Sequence, residues 1–377
     1  MLGERVKWGN SKRIVRHGFL LMLLLWGTVE MGYGQRVYAD VETSSSTPLL
    51  ASIVNSDLAI DGDTTTFSRL NVTVGLLSLV QANQIIYFSN APSYLLHSPV
   101  IVKFGTPGSL LDLLGGLSIQ RMNDGTGIAP IYGRTSLLEL LNLFGGGTVA
   151  VLNIPPTGQQ YTGVRLTINT TLGVARTARF YYAFYIIPPI IPQVTLCEGV
   201  SGAAVISNFQ SGYTYKLYTQ QMGGTQIGSD ITTNSFLIPD DWEGSYWLEA
   251  REGNIYPSAR TELKIVRNKI SSGAISEDQT ICEGEIPMQL NGELPETTMG
   301  AAISYQWQKK ASGIFSDIEE ANTQNYQPPS LYETTTFRRL AISEINGVSC
   351  TAVSNEITIT VLPLPGKPQL SISDVTN

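Results

Sequence analysis

Cys197, Cys282, Cys350 and His97 are the residues whose chemistry has to be explained first. Cys197 and Cys282 sit in matching contexts, VTLCEGVSGAAV from Val194 and QTICEGEIPMQL from Gln279, 85 residues apart. Thiols at such spacing belong either to a disulfide framework or to buried reduced positions, and only a nearby base makes one a nucleophile. The base would have to be His97, in LLHSPV, because His17 lies in an N-terminal segment that reads as a leader. A lone histidine beside leucines reads as a packed or partly exposed side chain and not as a catalytic one. The acid pairs Asp240-Asp241 and Glu319-Glu320 fall in turn-like stretches, where adjacent carboxylates do not hold the fixed separation of about 5–10 Å that glycoside hydrolysis requires. With no Gly-x-Ser-x-Gly, His-Glu-x-x-His or phosphate-loop pattern present, the expectation is a chain that is not an enzyme.

The elements that position these residues are strands. Apolar content of 42% is enough for real cores, while 36 Gly and 19 Pro favour short strands and tight turns over long helices. Lys7, Lys12, Arg13 and Arg16 precede an apolar run, Phe19–Trp26, followed by Gly32-Tyr33-Gly34. That order is a secretory signal peptide over residues 1–34, since the run is far below the ~20 residues that span a bilayer. Cleavage is expected after Gly34 or, alternatively, after Ala39. The leader carries five of the 24 Lys and Arg and two of the 31 Asp and Glu. The remaining chain thus has 19 basic and 29 acidic side chains, a net charge of −10. Such a chain is a poor match for nucleic acid, and no later stretch is long enough to span a membrane. A secreted or cell-surface location is expected.

Three modules follow the leader. The first, residues 35–187, contains NQIIYFS, SPVIVKFG, GTVAVLNI, TGVRLTINT and RFYYAFYII. A Pro-rich linker, residues 188–193, leads to a second module over 194–267 with YTYKLYTQQ and GSYWLEAREG. A linker at 268–275 leads to a third over 276–362 with ISYQWQKKA and NEITITV. Residues 363–377 read as another Pro-rich linker and the start of a further module. Alternation in Glu356–Val361 marks a strand with one buried face. Arg134–Gly147, rich in leucine and ending in glycines, predicts a short amphipathic helix, with a buried strand as the alternative.

Aligning Cys197 with Cys282 makes modules two and three repeats, each with an aromatic strand after the cysteine. In module three the turn Asn346-Gly347 precedes Cys350, so Cys282 and Cys350 are expected to staple the first strand to the last hairpin. A bridge of that loop size contributes about 4 kcal/mol in the chain-entropy model; two reduced thiols are the alternative. In module two Tyr256 stands where a cysteine is expected, which leaves Cys197 as an odd thiol, buried or available for cross-linking. Module three, from QTICEGEIPMQLNG through YQWQKKASG to SEINGVSCTAVSNEITITV, resembles the Ig-like repeats of large Bacteroidota cell-surface adhesins, and module two resembles them more loosely. The resemblance implies type IX secretion and a role in adhesion or gliding-associated structures. The cysteine placement departs from antibody domains, so Trp307 is expected in the core without a bridge joining the sheets at their centre.

Module one resembles discoidin-like, galactose-binding jelly rolls through LAIDGDTTTFSRL, Leu58–Leu70, and the strands VIVKFG and GVRLTINT. That resemblance implies a calcium site at Asp61, Asp63 and Thr66; an ordinary Asp-Gly turn is the alternative. Phe67 comes one position early for the family's aromatic. RMNDGTG, Arg121–Gly127, reads as a hairpin loop. Sugar recognition on such a sandwich pairs a stacking aromatic with polar neighbours on loops, which nominates Tyr132 and Tyr161, whereas Tyr181, Tyr182 and Tyr185 read as strand residues. The expected fold is all-β: a jelly-roll-like sandwich followed by two Ig-like sandwiches in tandem. The expected function is a non-catalytic surface adhesin fragment binding glycan or cell-surface proteins. The alternative is the non-catalytic head of a secreted polysaccharide-degrading enzyme.

Overall fold

A computed structural model of the protein describes residues 35–73, 80–141, 147–170, 174–253, 255–311, 313–364 and 366. The expected signal peptide lies outside the described residues, as do most of residues 363–377. Two compact units are present: residues up to 90 with 101–152 and 162–187 in one, and 91–100, 153–161 and the chain from 188 in the other.

The first unit is built on eleven strands: Arg36–Tyr38 (β1), Val41–Ser46 (β2), Ala51–Val54 (β3), Ser68–Val72 (β4), Val80–Tyr87 (β5), Val100–Gly105 (β6), Leu117–Asn123 (β7), Thr126–Tyr132 (β8), Val149–Ile154 (β9), Gly163–Thr170 (β10) and Arg176–Ile186 (β11). One sheet runs β3-β4-β11-β6-β9, with β1 also on β11, and the other runs β2-β5-β10-β7-β8. The first and last of the eight strands β4 to β11 are therefore neighbours in one sheet, and the second and seventh in the other. This is the jelly-roll order expected from the sequence. Alternation explains the layering: Val80, Ala82, Gln84 and Ile86 of β5 and Val164, Leu166 and Ile168 of β10 point inward against Leu70, Phe104 and Phe180. Tyr181 and Tyr185 are buried within β11, in keeping with their reading as strand residues. Asp124 and Gly125 take positive φ between the paired Asn123 and Thr126, a two-residue hairpin turn where one was expected.

Arg134–Leu141 is helical, as its leucine spacing predicts, and Leu137 on it is buried. The glycines at 145 and 146, read as its stop, lie outside the described residues. A shorter helix, Leu110–Leu114, buries Leu110, Leu113 and Leu114, the i, i+3, i+4 set, and leaves Leu111 exposed.

The second unit holds both Ig-like modules. Module two comprises Val194–Cys197 (β12), Gly202–Val205 (β13), Tyr213–Tyr218 (β14), Gln226–Ile231 (β15), Ser235–Ile238 (β16), Gly244–Glu252 (β17) and Tyr256–Asn268 (β18). Its larger sheet runs β12-β18-β17-β14-β15 and faces the pair β13-β16. Module three repeats the pattern with Gln279–Cys282 (β19), Ala302–Ala311 (β20), Ile314–Asp317 (β21), Thr335–Ile345 (β22), Val348–Val353 (β23) and Ile357–Leu362 (β24), ordered β19-β24-β22-β20-β21 with β23 also on β22. In both modules the first strand runs parallel to the last, β12 on β18 and β19 on β24, while the other paired strands are antiparallel. Residues 268–275, expected to be a linker, are hydrogen-bonded to module three: Ser271 N donates to Glu296 O (2.8 Å) and Glu293 N to Ala274 O (2.8 Å).

Trp307 is fully buried among Ile275, Leu290, Phe337 and Ile359, and its indole N–H donates to Thr323 O at 3.0 Å. Beside this core the buried Arg339 donates to Gln324 O, Ser272 O and Glu293 O. Gly292 leaves it room, since a Cβ there would stand 1.8 Å from Arg339 Nη1. Trp307→Ala is expected to destabilise module three by about 3–5 kcal/mol. Far-UV circular dichroism during urea unfolding checks this: the module-three transition should move to lower urea while that of the jelly roll stays in place.

Candidate functional site

The junction of modules two and three is a densely bonded polar site in the second unit. Cys197 is bridged to Cys350, with Cα atoms 5.7 Å apart, and Cys282 is free and exposed. This corrects the expected pairing of Cys282 with Cys350. The reason is strand direction. The β19–β24 register puts Cys282 level with Leu362, and the β22–β24 register, continued three residues before the start of β22, carries that level to Tyr332. Cys350 pairs with Ser343 at the other end of β22, eleven residues away in register. At ~3.3 Å per residue the two thiols are about 35 Å apart, and a disulfide needs Cα atoms within ~7 Å. The idea that module two lost its own bridge at Tyr256 falls with that pairing. One bridge serves both modules.

Register also shows why Cys197 meets Cys350. Cys197 pairs with Asn268, the last residue of β18. Asn268 is 1% exposed; its Nδ2 donates to Ser343 O and Val348 O, each at 2.9 Å, and its Oδ1 accepts from Ser343 Oγ at 2.6 Å. Asn346, at φ 52 in the predicted Asn-Gly turn, donates through Nδ2 to Thr195 Oγ1 at 3.1 Å. Arg267 braces the receiving side: it donates to Cys197 O (3.2 Å), Val200 O (2.6 Å), Trp242 O (2.7 Å) and Pro239 O. Thr298 Oγ1 of module three donates back to Arg267 O at 2.8 Å. Buried polar groups this completely paired fix a single arrangement, because losing one partner strands the other without water.

The Asp61 loop forms a self-capped turn. Asp61 Oδ1 accepts from Asp63 N (2.9 Å), and its Oδ2 accepts from the Thr66 hydroxyl (2.8 Å). Asp63 Oδ1 accepts from Thr65 N (2.8 Å) and Thr65 Oγ1 (2.7 Å). These bonds, the Thr65 hydroxyl first, hold the Asp63 carboxyl below its ordinary pKa. Calcium needs about six to eight oxygens. Here the two carboxylates are engaged by local donors, and Lys103 Nζ occupies the Thr64 carbonyl at 2.8 Å. Among the described residues no group of three or more His, Cys, Asp or Glu side chains is arranged to hold a metal ion. The residues present fit the Asp-Gly turn and do not fit a calcium cage. Phe67, early for the family's aromatic, packs on Tyr181 with ring centroids 5.1 Å apart.

Tyr132 and Tyr161 are not stacking platforms. Tyr132 is 6% exposed, on the inward face of β8, and Tyr161 is 0% exposed with its hydroxyl donating to Pro99 O at 3.2 Å. Their turn-rich neighbours mark the ends of the sandwich, and at such an end an aromatic ring gains more from burial than from standing in water. His97 ends a half-buried 3₁₀ turn, Ser93–His97. Asp240, Asp241, Glu319 and Glu320 are exposed. No described helix is long and apolar enough to cross a membrane.

Comparison with known proteins identifies one family, described as a domain of unknown function (DUF8696), over residues 271–363. No curated protein matches the chain. Solved structures with similarity include a β-1,2-glucanase from Parabacteroides distasonis (10% identity, TM-score 0.32, 60% of this chain and 37% of that one). Fibronectin(III)-like modules of CbhA from Clostridium thermocellum match at 14% identity and TM-score 0.27, over 48% of this chain and 100% of that one. Three N-terminal domains of the Highly Immunogenic Outer Capsid protein of bacteriophage RB49 match at 10% identity and TM-score 0.33, over 86% of this chain and 100% of that one. The chain thus spans little more than a third of the glucanase.

Non-reducing peptide mapping of the oxidised protein is expected to join the Cys197 and Cys350 peptides and leave Cys282 alkylated; a Cys282–Cys350 peptide would refute the junction. At the Asp61 loop, a depressed folded pKa means that the Asp63 bonds are intact above the ordinary aspartate value and are lost as pH falls through the lowered one. In an NMR titration the Thr65 amide should shift with a midpoint below the ordinary aspartate range. Calcium at about 10 mM, above the ~0.1–1 mM range of extracellular sites, should leave the Asp61 and Asp63 carboxyl signals in place.

Proposed function

We propose that the chain is an exported, non-catalytic surface protein in which the two Ig-like modules act as a clamped spacer and the jelly roll is the partner-binding module. The observation that carries this reading is the Cys197–Cys350 bridge together with the Asn268 bonds to Ser343 and Val348. A spacer that holds a partner at a distance gains from a junction that does not hinge, and a disulfide persists in the oxidising surroundings an exported chain meets. The leader-like N-terminus supports export, and the resemblance of the repeats to those of Bacteroidota surface adhesins supports an adhesion role and a type IX route. The non-catalytic reading rests on the missing nucleophile and metal motifs. The partners of the first module are glycans or cell-surface proteins. With Tyr132 and Tyr161 buried, recognition falls to other, exposed residues of that module.

The clamp is tested by trypsin, because Lys269 lies at the junction and is held by Glu243 at 2.9 Å. Asn268→Ala leaves the hairpin's buried groups without partners, at a cost of about 1–3 kcal/mol. Cleavage after Lys269 should then be at least about tenfold faster in Asn268→Ala and in Cys350→Ser than in the parent, since ~1.4 kcal/mol of local opening is a factor of ten. An unchanged rate in both variants would mean the junction is no clamp. Export is tested separately on the source cells: the mature chain should begin at Gln35 or Asp40 and be removed by protease from intact cells. A cytoplasmic chain with its leader retained would end the surface reading.

A further inference from the structure

Modules two and three open with one device, Thr195-Leu196-Cys197-Glu198-Gly199 and Thr280-Ile281-Cys282-Glu283-Gly284. The backbone around it is the same in both. Glu198 N donates to Asn268 O (3.2 Å), and Glu283 N donates to Leu362 O (2.9 Å). Val200 N donates to Cys197 O (3.2 Å), and Glu285 N donates to Cys282 O (3.1 Å). Gly199 and Gly284 have φ of 70° and 85°, a left-handed turn that places the cysteine at the exit of its module.

In module two the device is occupied: Thr195 accepts from Asn346 and Cys197 is bonded to Cys350, so both residues are partly covered. In module three Thr280 and Cys282 are exposed. Leu362 is 49% exposed where its register equivalent, Asn268, is 1% exposed. The cysteine thus comes with a second, independent observation, which is the occupied copy of the same site within the same chain.

We propose that the exit end of module three is a receiving site for one further Ig-like module, and that Cys282 is bridged to a cysteine of that module's last hairpin. The occupant is defined by chemistry. It presents an Asn-Gly turn whose asparagine donates to Thr280 and a cysteine four residues after that asparagine, as Asn346 and Cys350 do. It carries an apolar residue where module three has Ser343, because the receiving residue is Leu362 and not Asn268. A second copy of this chain does not supply that cysteine, since its Cys350 is committed to its own Cys197. In the bond-forming step the two thiols lose two protons and two electrons to a disulfide oxidant such as glutathione disulfide, which leaves as two thiols. The site rests on the proposed spacer reading only in needing oxidising surroundings.

In the test, a second copy of residues 269–364 replaces everything after Leu362 of the chain. The added copy carries Cys282→Ser, Ser343→Ala to suit Leu362, and Val353→Ile as a mass mark. A second version keeps Ser343 in the added copy and carries Leu362→Asn, which recreates the module-two surface. Both are folded with oxidised and reduced glutathione. The parent chain has one alkylatable thiol, Cys282. The extended chain should have none, and its Cys282 peptide should be joined to the Ile-marked peptide. Two alkylatable thiols in both versions would overturn the proposal, whether or not the added module folds, because module three itself folds on an equivalent end. Loss of the Cys197–Cys350 peptide would instead count against the spacer reading, so the two failures are told apart.

Discussion

The second unit depends on the parallel pairing of each Ig-like module's first strand with its last. That pairing carries the opening strand toward the module's exit, so a cysteine at the strand's end stands beside the next module's entry and not beside its own last hairpin. An antiparallel first strand would have brought Cys282 toward Cys350 and made each module self-contained. With the parallel arrangement, the Asn346-Gly347 hairpin reaches back from module three onto the end of module two, and the junction becomes part of both folds.

The bridge alone does not fix the junction. A single disulfide leaves rotation about its side-chain torsions, whereas Asn268 adds three hydrogen bonds from a buried side chain and Thr298 ties the connecting backbone down. The bridge closes 153 residues, which in the chain-entropy model corresponds to about 5 kcal/mol taken from the unfolded state. The polar contacts are worth only about 1 kcal/mol each in net terms, yet each is directional. The covalent bond holds the modules together and the amide sets their angle.

Period-2 patterns made the strands legible, and the Asn-Gly and Asp-Gly pairs made the hairpins legible, because both signals are local and follow from backbone geometry alone. Trp307 is placed in the core by the Ig-like resemblance, and it is fully buried there. The cysteine pairing was not legible, since spacing along the chain does not say which end of a sandwich a residue occupies; strand direction does. Tyr132 and Tyr161 were misplaced for a related reason. Gly, Pro and polar neighbours mark irregular backbone, but the rings beside such backbone close the ends of the core. At the Asp61 loop the residue types were readable, while the difference between a turn and an ion cage lies in donors such as Thr65, Thr66 and Lys103 that already engage the oxygens.

The two module ends differ in how they are braced. Beneath Cys197, the guanidinium of Arg267 gathers four carbonyls from two separate segments, 197–200 and 239–242, and so ties together the surface that module three meets. Its register equivalent in module three is Val361, whose side chain has no donors to offer, and the residue after it is Leu362 in place of Asn268. The polar lock has therefore been exchanged for apolar side chains at that end, while the threonine and the cysteine are retained. Apolar contact is non-directional and sets no angle by itself. An end built this way must take its orientation from the threonine bond and the covalent bridge, which is why the thiol is the part of the device that the exchange could not remove.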